Sequence, residues 1–247
     1  MTIKTILITG ASSGIGLELA KQFAARGYNL ALVARRLELL NKLKDSLSQF
    51  SVDVQCWGVD VTDESGLQTM YEQAVNHFGQ IDKIVVNAGM ANFGNVGERP
   101  FAETKSMLDL NLTSAIMTAH YGLQQLRRQQ AGGQIVFVSS IAGRRGMPGM
   151  ASYCASKAGL TTFAEGLRAE TFHENIDITV LAPGYINTPI GDNMDKMPFV
   201  ISAEKAGTLL ANRIEKCVKR SYLPTWPWAF AARIVPLLPT RLFATSK

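Results

Sequence analysis

The stretch IKTILITGASSGIGLELAKQFAAR, residues 3–26, decides how the rest of the chain is read. Ile3 to Thr9 is an apolar, β-branched run without polar alternation, the pattern of a strand buried on both faces. Gly14 to Arg26 then carries Ile15, Leu19 and Phe23 on one helical face. Between them, TGASSGIG (Thr9 to Gly16) is a glycine-rich turn. Its glycines permit a tight turn and close approach of backbone to a phosphate, and the helix N-terminus offers free N–H groups to an anion. Gly10, Ser12, Ser13, Gly14, Ile15 and Gly16 are therefore candidates to hold a dinucleotide. The spacing is Gly-x-x-x-Gly-x-Gly rather than GxGxxG, so spacing alone leaves a ligand-free turn open.

Outward from this unit, short β-branched runs alternate with amphipathic stretches. LALVA (Leu30 to Ala34), VDVQCW, KIVVNAG, QIVFVSS and DITVLAPG read as strands, with helices at LELLNKLKDSL, Glu64 to Phe78, Phe101 to Gln130 and Ser152 to His173. Such alternation implies right-handed crossovers and a doubly wound α/β fold, an open, mostly parallel sheet with helices on both faces. No repeat or linker precedes residue 187, so residues 1–247 read as a single domain. Residues 187–202 lack periodicity and read as a lid over the site. Ala203 to Lys219 is helical and Ser221 to Thr225 is a last strand, opening a C-terminal extension over 221–247. Pro227, Pro236 and Pro239 limit any helix there to roughly Trp228 to Val235.

Composition narrows the function. The 247 residues are 47% hydrophobic and 18% charged, which excludes a mainly disordered chain. Cys56, Cys154 and Cys217 are an odd number without CxxC spacing, as expected in a reducing, cytoplasmic setting. His77, His120 and His173 are too far apart in sequence to suggest a metal site. No signal peptide or spanning segment is legible. The net charge of +5 is spread over scattered doublets, Arg35-Arg36, Arg127-Arg128 and Arg144-Arg145, without interleaved aromatics, so no nucleic-acid partner is expected.

Gly10-Ala11-Ser12-Ser13-Gly14 also satisfies G-x-S-x-G, the nucleophile elbow of serine hydrolases. Only one strand precedes Ser12, and the last histidine, His173, falls inside a helix, so the triad order is missing and a hydrolase is rejected. The end of the second strand is more informative. An acidic residue about 20 positions past the turn would hold the 2′-hydroxyl of NAD. Arg35 and Arg36 stand there instead, two guanidiniums suited to a phosphate, and NADP(H) is the cofactor expected. Solvated arginines opening a helix are the plain alternative.

Tyr153 and Lys157 are spaced i, i+4 on one helix face, and Ser140 lies at the end of QIVFVSS, where open α/β sheets collect ligands. With TGASSGIG, Asp60-Val61, Asn87-Ala88-Gly89, Asn111 and Pro183-Gly184 in order, the chain resembles the short-chain dehydrogenase/reductase family over nearly its whole length. The resemblance implies a Rossmann-type sheet of seven strands and a tetrad of Asn111, Ser140, Tyr153 and Lys157. It places Asp60 and Val61 at the adenine, Asn87, Ala88 and Gly89 at the central strand and cofactor, and Pro183, Gly184, Ile186 and Thr188 by the nicotinamide. It also implies a water at Asn111 linking Lys157 to solvent, and a homodimer or homotetramer.

By residue type, Tyr153 is the acid/base for carbonyl–alcohol interconversion, Lys157 is expected to favour its phenolate and to bind the nicotinamide ribose, and Ser140 to orient the substrate oxygen. Cys154, next along the helix from Tyr153, faces away from it and reads as a packed thiol. Arg144 and Arg145 read as a solvated loop. The substrate pocket is expected from Met90, Phe93, Met147, Met150, Tyr185, Met194, Met197 and Phe199, an apolar, adaptable lining for a hydrophobic small molecule. The chain lacks the Val-Asp-Gly-Gly end that builds a tetramer interface in short members of the family. Its aromatic tail has three readings: a flap on the pocket, a dimer surface, or peripheral membrane contact through 226–243. A non-catalytic redox sensor or scaffold is the alternative function, and the Asn-Ser-Tyr-Lys set argues against it.

Overall fold

The computed structural model describes residues 3–189 and 197–244 of the chain. In chain order the strands are β1 (Thr5–Thr9), β2 (Asn29–Ala34), β3 (Val54–Gly58), β4 (Lys83–Val86), β5 (Gly133–Val138), β6 (Ile176–Pro183), β7 (Ile186–Asn187), β8 (Ile201–Ser202) and β9 (Arg220–Leu223). The α-helices are α1 (Gly14–Ala25), α2 (Leu37–Ser46), α3 (Glu64–Phe78), α4 (Phe101–Leu108), α5 (Ser114–Gln129), α6 (Ala151–Glu170), α7 (Ala203–Glu215) and α8 (Thr225–Ile234).

Every residue of β1 is buried, as its unbroken apolar run requires, and the strand lies inside a parallel sheet of order β3-β2-β1-β4-β5-β6-β9. Successive side chains alternate between faces. Ile6, Ile8, Leu30 and Leu32 meet Leu19 and Phe23 of α1, Leu40 of α2 and Leu210 of α7. Leu7, Ala31, Val33 and Ile84 meet Leu67 of α3, Leu123 of α5 and Leu160 of α6. Fully burying each such leucine or isoleucine contributes about 1.5–3 kcal/mol. This is the doubly wound sheet that the alternation of elements implies, with the seven strands of the Rossmann type that the family resemblance implies, in one domain.

The sheet winds outward in both directions from β1 and β4, so the crevice between their C-terminal ends is the switch point where such folds bind ligands. The Thr9 hydroxyl donates to Val85 O (3.2 Å) and accepts from Asn87 N (3.0 Å) and Ala88 N (3.2 Å). The Asn87 amide in turn donates to Thr9 O at 2.9 Å.

Two segments differ from the sequence reading. The run Phe101 to Gln130 is not one helix: a π turn at Asp109–Thr113 divides α4 from α5 and carries Asn111, which is fully buried. In the tail, Trp226 keeps extended backbone, so the regular part of α8 begins at Pro227, where a missing N–H costs nothing. Trp226, Phe230, Ile234 and Leu237 are exposed, and the expected dimer or membrane contact would fall on them. No described helix is long and apolar enough to cross a membrane.

Thr9→Val keeps the side chain's shape but leaves the Asn87 and Ala88 amides without their acceptor. It is expected to cost about 1–3 kcal/mol in urea denaturation. Unchanged stability would show that the hydroxyl does not hold the two strand ends.

Candidate active site

The Thr9–Gly16 turn takes its shape from glycine. Gly10 and Gly14 have φ of +68° and +56°, and a Cβ on Gly16 would lie 2.4 Å from Gly10 O. Ser13 occupies the N-cap position of α1, but its hydroxyl accepts no backbone N–H of the helix. The first amides of α1 therefore keep their donors for an anion, favoured by the helix dipole. A backbone cradle that side chains would fill, with uncapped amides, fits the pyrophosphate of a dinucleotide.

Arg36 reaches back across this turn, its Nη2 donating to Ser12 Oγ (2.9 Å) and Ser13 Oγ (3.1 Å). Among the described residues no carboxylate pairs with it. Arg35 is largely exposed, with Nη1 3.8 Å from Asp60 Oδ2. Both guanidiniums, Asp60 and Val61 line the same cavity as the turn. Asp60 also closes a local turn, accepting from Thr62 N at 3.0 Å.

That cavity, about 390 Å³, runs from the turn to the C-terminal ends of β5 and β6. It brings together Asn87, Ala88, Gly89, Met90, Phe93, Ser140, Met147, Met150, Tyr153, Lys157, Pro183, Gly184, Tyr185, Ile186 and Thr188. Ser140 follows β5 by two residues and caps a short 3-10 turn, Ile141–Arg144, by accepting from Ala142 N at 3.1 Å. Its hydroxyl also donates to Pro183 O at 3.5 Å, and the first turn of α6 presents Tyr153 to the same cavity. Phe93 packs edge-on against the Tyr153 ring, centroids 6.2 Å apart. Lys157, one turn further on, is buried and donates to Val138 O at 3.1 Å. Ser139 Oγ donates to Lys157 O (3.0 Å) and so docks α6 on the end of β5.

Burial governs both titrations. It pushes the Tyr153 phenol above its usual value of 10.0, with the Ser140 hydrogen bond only partly opposing it. It also lowers Lys157 from 10.5 to about 8. Lys157 Nζ stands 5.9 Å from the Tyr153 ring centroid, bonded to a carbonyl. Loss of water is the leading cause of both shifts.

Asn111 and Gly16 sit behind the cavity wall rather than on it. Asn111 Oδ1 accepts from Met90 N, and its Nδ2 donates to Met90 O, each at 2.8 Å, with Ser156 Oγ at 3.3 Å. Its amide thus holds the Met90 segment in place. Cys154 is buried with its thiol pushed up, as a packed thiol should be.

Of the expected pocket residues, Met194 lies outside the described residues. Met197 and Phe199 are exposed and not on the wall; Phe199, at φ +58°, turns outward onto Trp228. Their places are taken by Trp228, Ala231 and Val235, at i, i+3 and i+7 along the tail, and by Phe243. Arg144 and Arg145 are not a solvated loop. They donate to Ala232 O (3.3 Å) and Pro236 O (2.9 Å), and Arg145 lies over the Phe243 ring. The only signal of this in the sequence is the aromatic density of the tail.

A Gly-rich crevice at the switch point, joined to a Ser-Tyr-Lys group at the next strand ends, defines a nucleotide-dependent oxidoreductase. The short chain dehydrogenase profile matches residues 4–198, and the chain belongs to that family, whose members bind a nicotinamide cofactor. It is 36% identical over 245 residues to an uncharacterized oxidoreductase of Mycobacterium tuberculosis, covering 98% of this chain and 96% of the relative. It is 38% identical over 191 residues to 11-beta-hydroxysteroid dehydrogenase 1A of Arabidopsis thaliana, 76% of this chain and 53% of that one. Among solved structures, an alcohol dehydrogenase from the archaeon Thermococcus sibiricus complexed with 5-hydroxy-NADP superimposes with a TM-score of 0.81, at 26% identity over 90% of this chain and 95% of that one. A short chain dehydrogenase from Mycobacterium paratuberculosis bound to NAD shares the fold, with a TM-score of 0.82 at 23% identity over 90% and 96% of the two chains.

Folding holds Lys157 at about 8, while unfolding returns it toward 10.5. The unfolded chain binds more protons between these values, so stability rises with pH across that window, and the full cost of burying the charge is borne below it. Lys157→Met is expected to gain about 1–3 kcal/mol at pH 7 and to lose that gain by about pH 10.5. Denaturation at both pH values checks it; no gain at neutral pH would mean the ammonium is not desolvated.

Proposed function

We propose that the chain is an NADP(H)-dependent oxidoreductase interconverting a carbonyl and an alcohol on a hydrophobic small molecule, with Tyr153 as acid/base. The observation that carries this reading is that Ser140, Tyr153 and Lys157 line the same cavity as the glycine-rich turn. A bound nicotinamide would supply or accept the hydride. The chain's own residues manage the oxygen and its proton. Ser140 orients the carbonyl oxygen by hydrogen bonding, and Tyr153, kept protonated by burial, donates the proton that makes the alcohol. Lys157, still largely charged near neutral pH, is close enough to favour the phenolate left behind.

NADP(H) over NAD(H) is supported by Arg36 above the turn with no carboxylate partner among the described residues, and by the absence of an acidic residue at the end of β2. The 5-hydroxy-NADP complex of the archaeal relative supports it too, while the NAD-bound structure speaks for the fold alone. The apolar wall of Met90, Phe93, Met147, Met150 and Tyr185 supports a hydrophobic substrate, as do the relatives named as hydroxysteroid dehydrogenases. Within the C-terminal extension, Trp228, Ala231, Val235 and Phe243 line the cavity, which supports the flap reading of its aromatic tail.

Tyr153→Phe is expected to cut NADPH-dependent carbonyl reduction by about 10²–10⁴-fold, with NADPH affinity by calorimetry little changed. A variant that keeps most of its rate would remove Tyr153 from proton transfer. In the same calorimeter, Arg35→Asp/Arg36→Ala is expected to lose about tenfold or more in NADPH affinity while NADH binding is spared. Equal binding of both cofactors by the unaltered chain would point to NAD(H) as well.

A further inference from the structure

We propose that the outer face of the aromatic tail docks on an anionic lipid surface, the chain lying against a membrane rather than crossing it. This stands apart from the carbonyl-reduction reading. One side of α8 lines the cavity through Trp228, Ala231 and Val235. The other carries Trp226, Phe230, Ile234 and Leu237, which recur at helical spacing and make one stripe. Trp226, Phe230 and Leu237 leave 72%, 58% and 79% of their surfaces exposed, and Leu242 further along leaves 63%. The stripe is continuous at its start, where the Trp226 and Phe230 rings lie with centroids 6.2 Å apart. An apolar patch of this kind marks a contact surface.

The stripe sits on a fixed frame. Arg144 and Arg145 hold the segment through the carbonyls of Ala232 and Pro236, and Arg145 Nη2 reaches Thr240 Oγ1 at 3.3 Å. A surface so held loses little freedom on docking. Charge selects the partner. From Ser221 to Lys247 the sequence carries Arg233, Arg241 and Lys247 and no acidic residue. Arg233 and Arg241 are exposed, and among the described residues neither meets a carboxylate; Arg233 bonds only Ala229 O of its own helix, at 3.4 Å. Arg233 falls between Phe230 and Leu237, inside the stripe. Its stem can lie along apolar surface while the guanidinium reaches phosphate oxygens, with Trp226 at headgroup level. A second copy docking through the same face would bring more arginine and no carboxylate, because a two-fold contact pairs a patch with itself. Lipid phosphates supply the missing sign.

The test is sedimentation of the full chain with vesicles of phosphatidylcholine alone and of phosphatidylcholine mixed equally with phosphatidylglycerol. At low salt the mixed vesicles are expected to bind about tenfold or more tightly than the neutral ones, and about 0.5 M NaCl to remove most of the difference. Phe230→Ser/Leu237→Ser and Arg233→Gln/Arg241→Gln should each weaken binding to the mixed vesicles about tenfold or more, with circular dichroism unchanged. Lipids brominated near the headgroup end of their acyl chains should quench the tryptophan fluorescence of the unaltered chain, and Trp226→Phe should remove most of that quenching. The quenching decides the matter if a double variant fails to fold. No binding to either vesicle, equal binding to both, binding that survives both double variants, or quenching that persists in Trp226→Phe overturns the proposal. So does self-association of the chain by light scattering, lost in Phe230→Ser/Leu237→Ser and accompanied by no vesicle binding, which would assign the face to a second copy.

Discussion

Three hydrogen bonds to one hydroxyl, that of Thr9, hold the centre of this molecule together. They join the ends of β1 and β4 at the place where the chain, having wound outward through β2 and β3, crosses back and starts in the other direction. A parallel sheet has no hydrogen-bonded turns to close its strand ends, so the crevice stays open unless side chains lace it. Thr9 and Asn87 do so from inside, and the glycine-rich turn folds over their bonds. The end of β5 that leads to Ser140, two strands along, inherits its position from this register.

Burial then sets the chemistry. Tyr153 and Lys157 are both moved toward their neutral forms, the phenol upward and the ammonium downward, by the same loss of water. In the acid/base role proposed for Tyr153, the site would begin with a neutral phenol, and the Lys157 cation would become useful once the proton had left. Asn111 contributes at one remove, locking the backbone at Met90 so that the cavity wall keeps its shape.

What was legible in the sequence is what depends on neighbours along the chain. The strand–turn–helix at residues 3–26, the i, i+4 pair Tyr153 and Lys157, and the placing of Ser140 at a strand end all follow from local pattern and the rules of open sheets. The π turn at Asn111 left no trace, because a helical pattern continues through it. Arg144 and Arg145 were misread as solvated because their carbonyl partners lie 88 and 91 residues further on. Apolarity alone suggests Met197 and Phe199 for the pocket, yet it says nothing of their exposure in the folded chain. Trp228 went unassigned for the converse reason: its seat exists only because Gly184, far away in sequence, has no side chain.

The small ladder of β7 and β8 has a use of its own. Ile186 and Asn187 pair with Ile201 and Ser202, and Ile201 N donates to Tyr185 O at 3.2 Å. The two stems of the intervening segment are thereby clasped, with Ile186 buried beside the cavity on one side and the Ser202 cap of α7 on the other. Closing a loop already joined at its base grows costlier only slowly, by about 0.6 kcal/mol for each doubling of length. The pairing thus ties Ile186, on the cavity wall, directly to the strand that leads into α7.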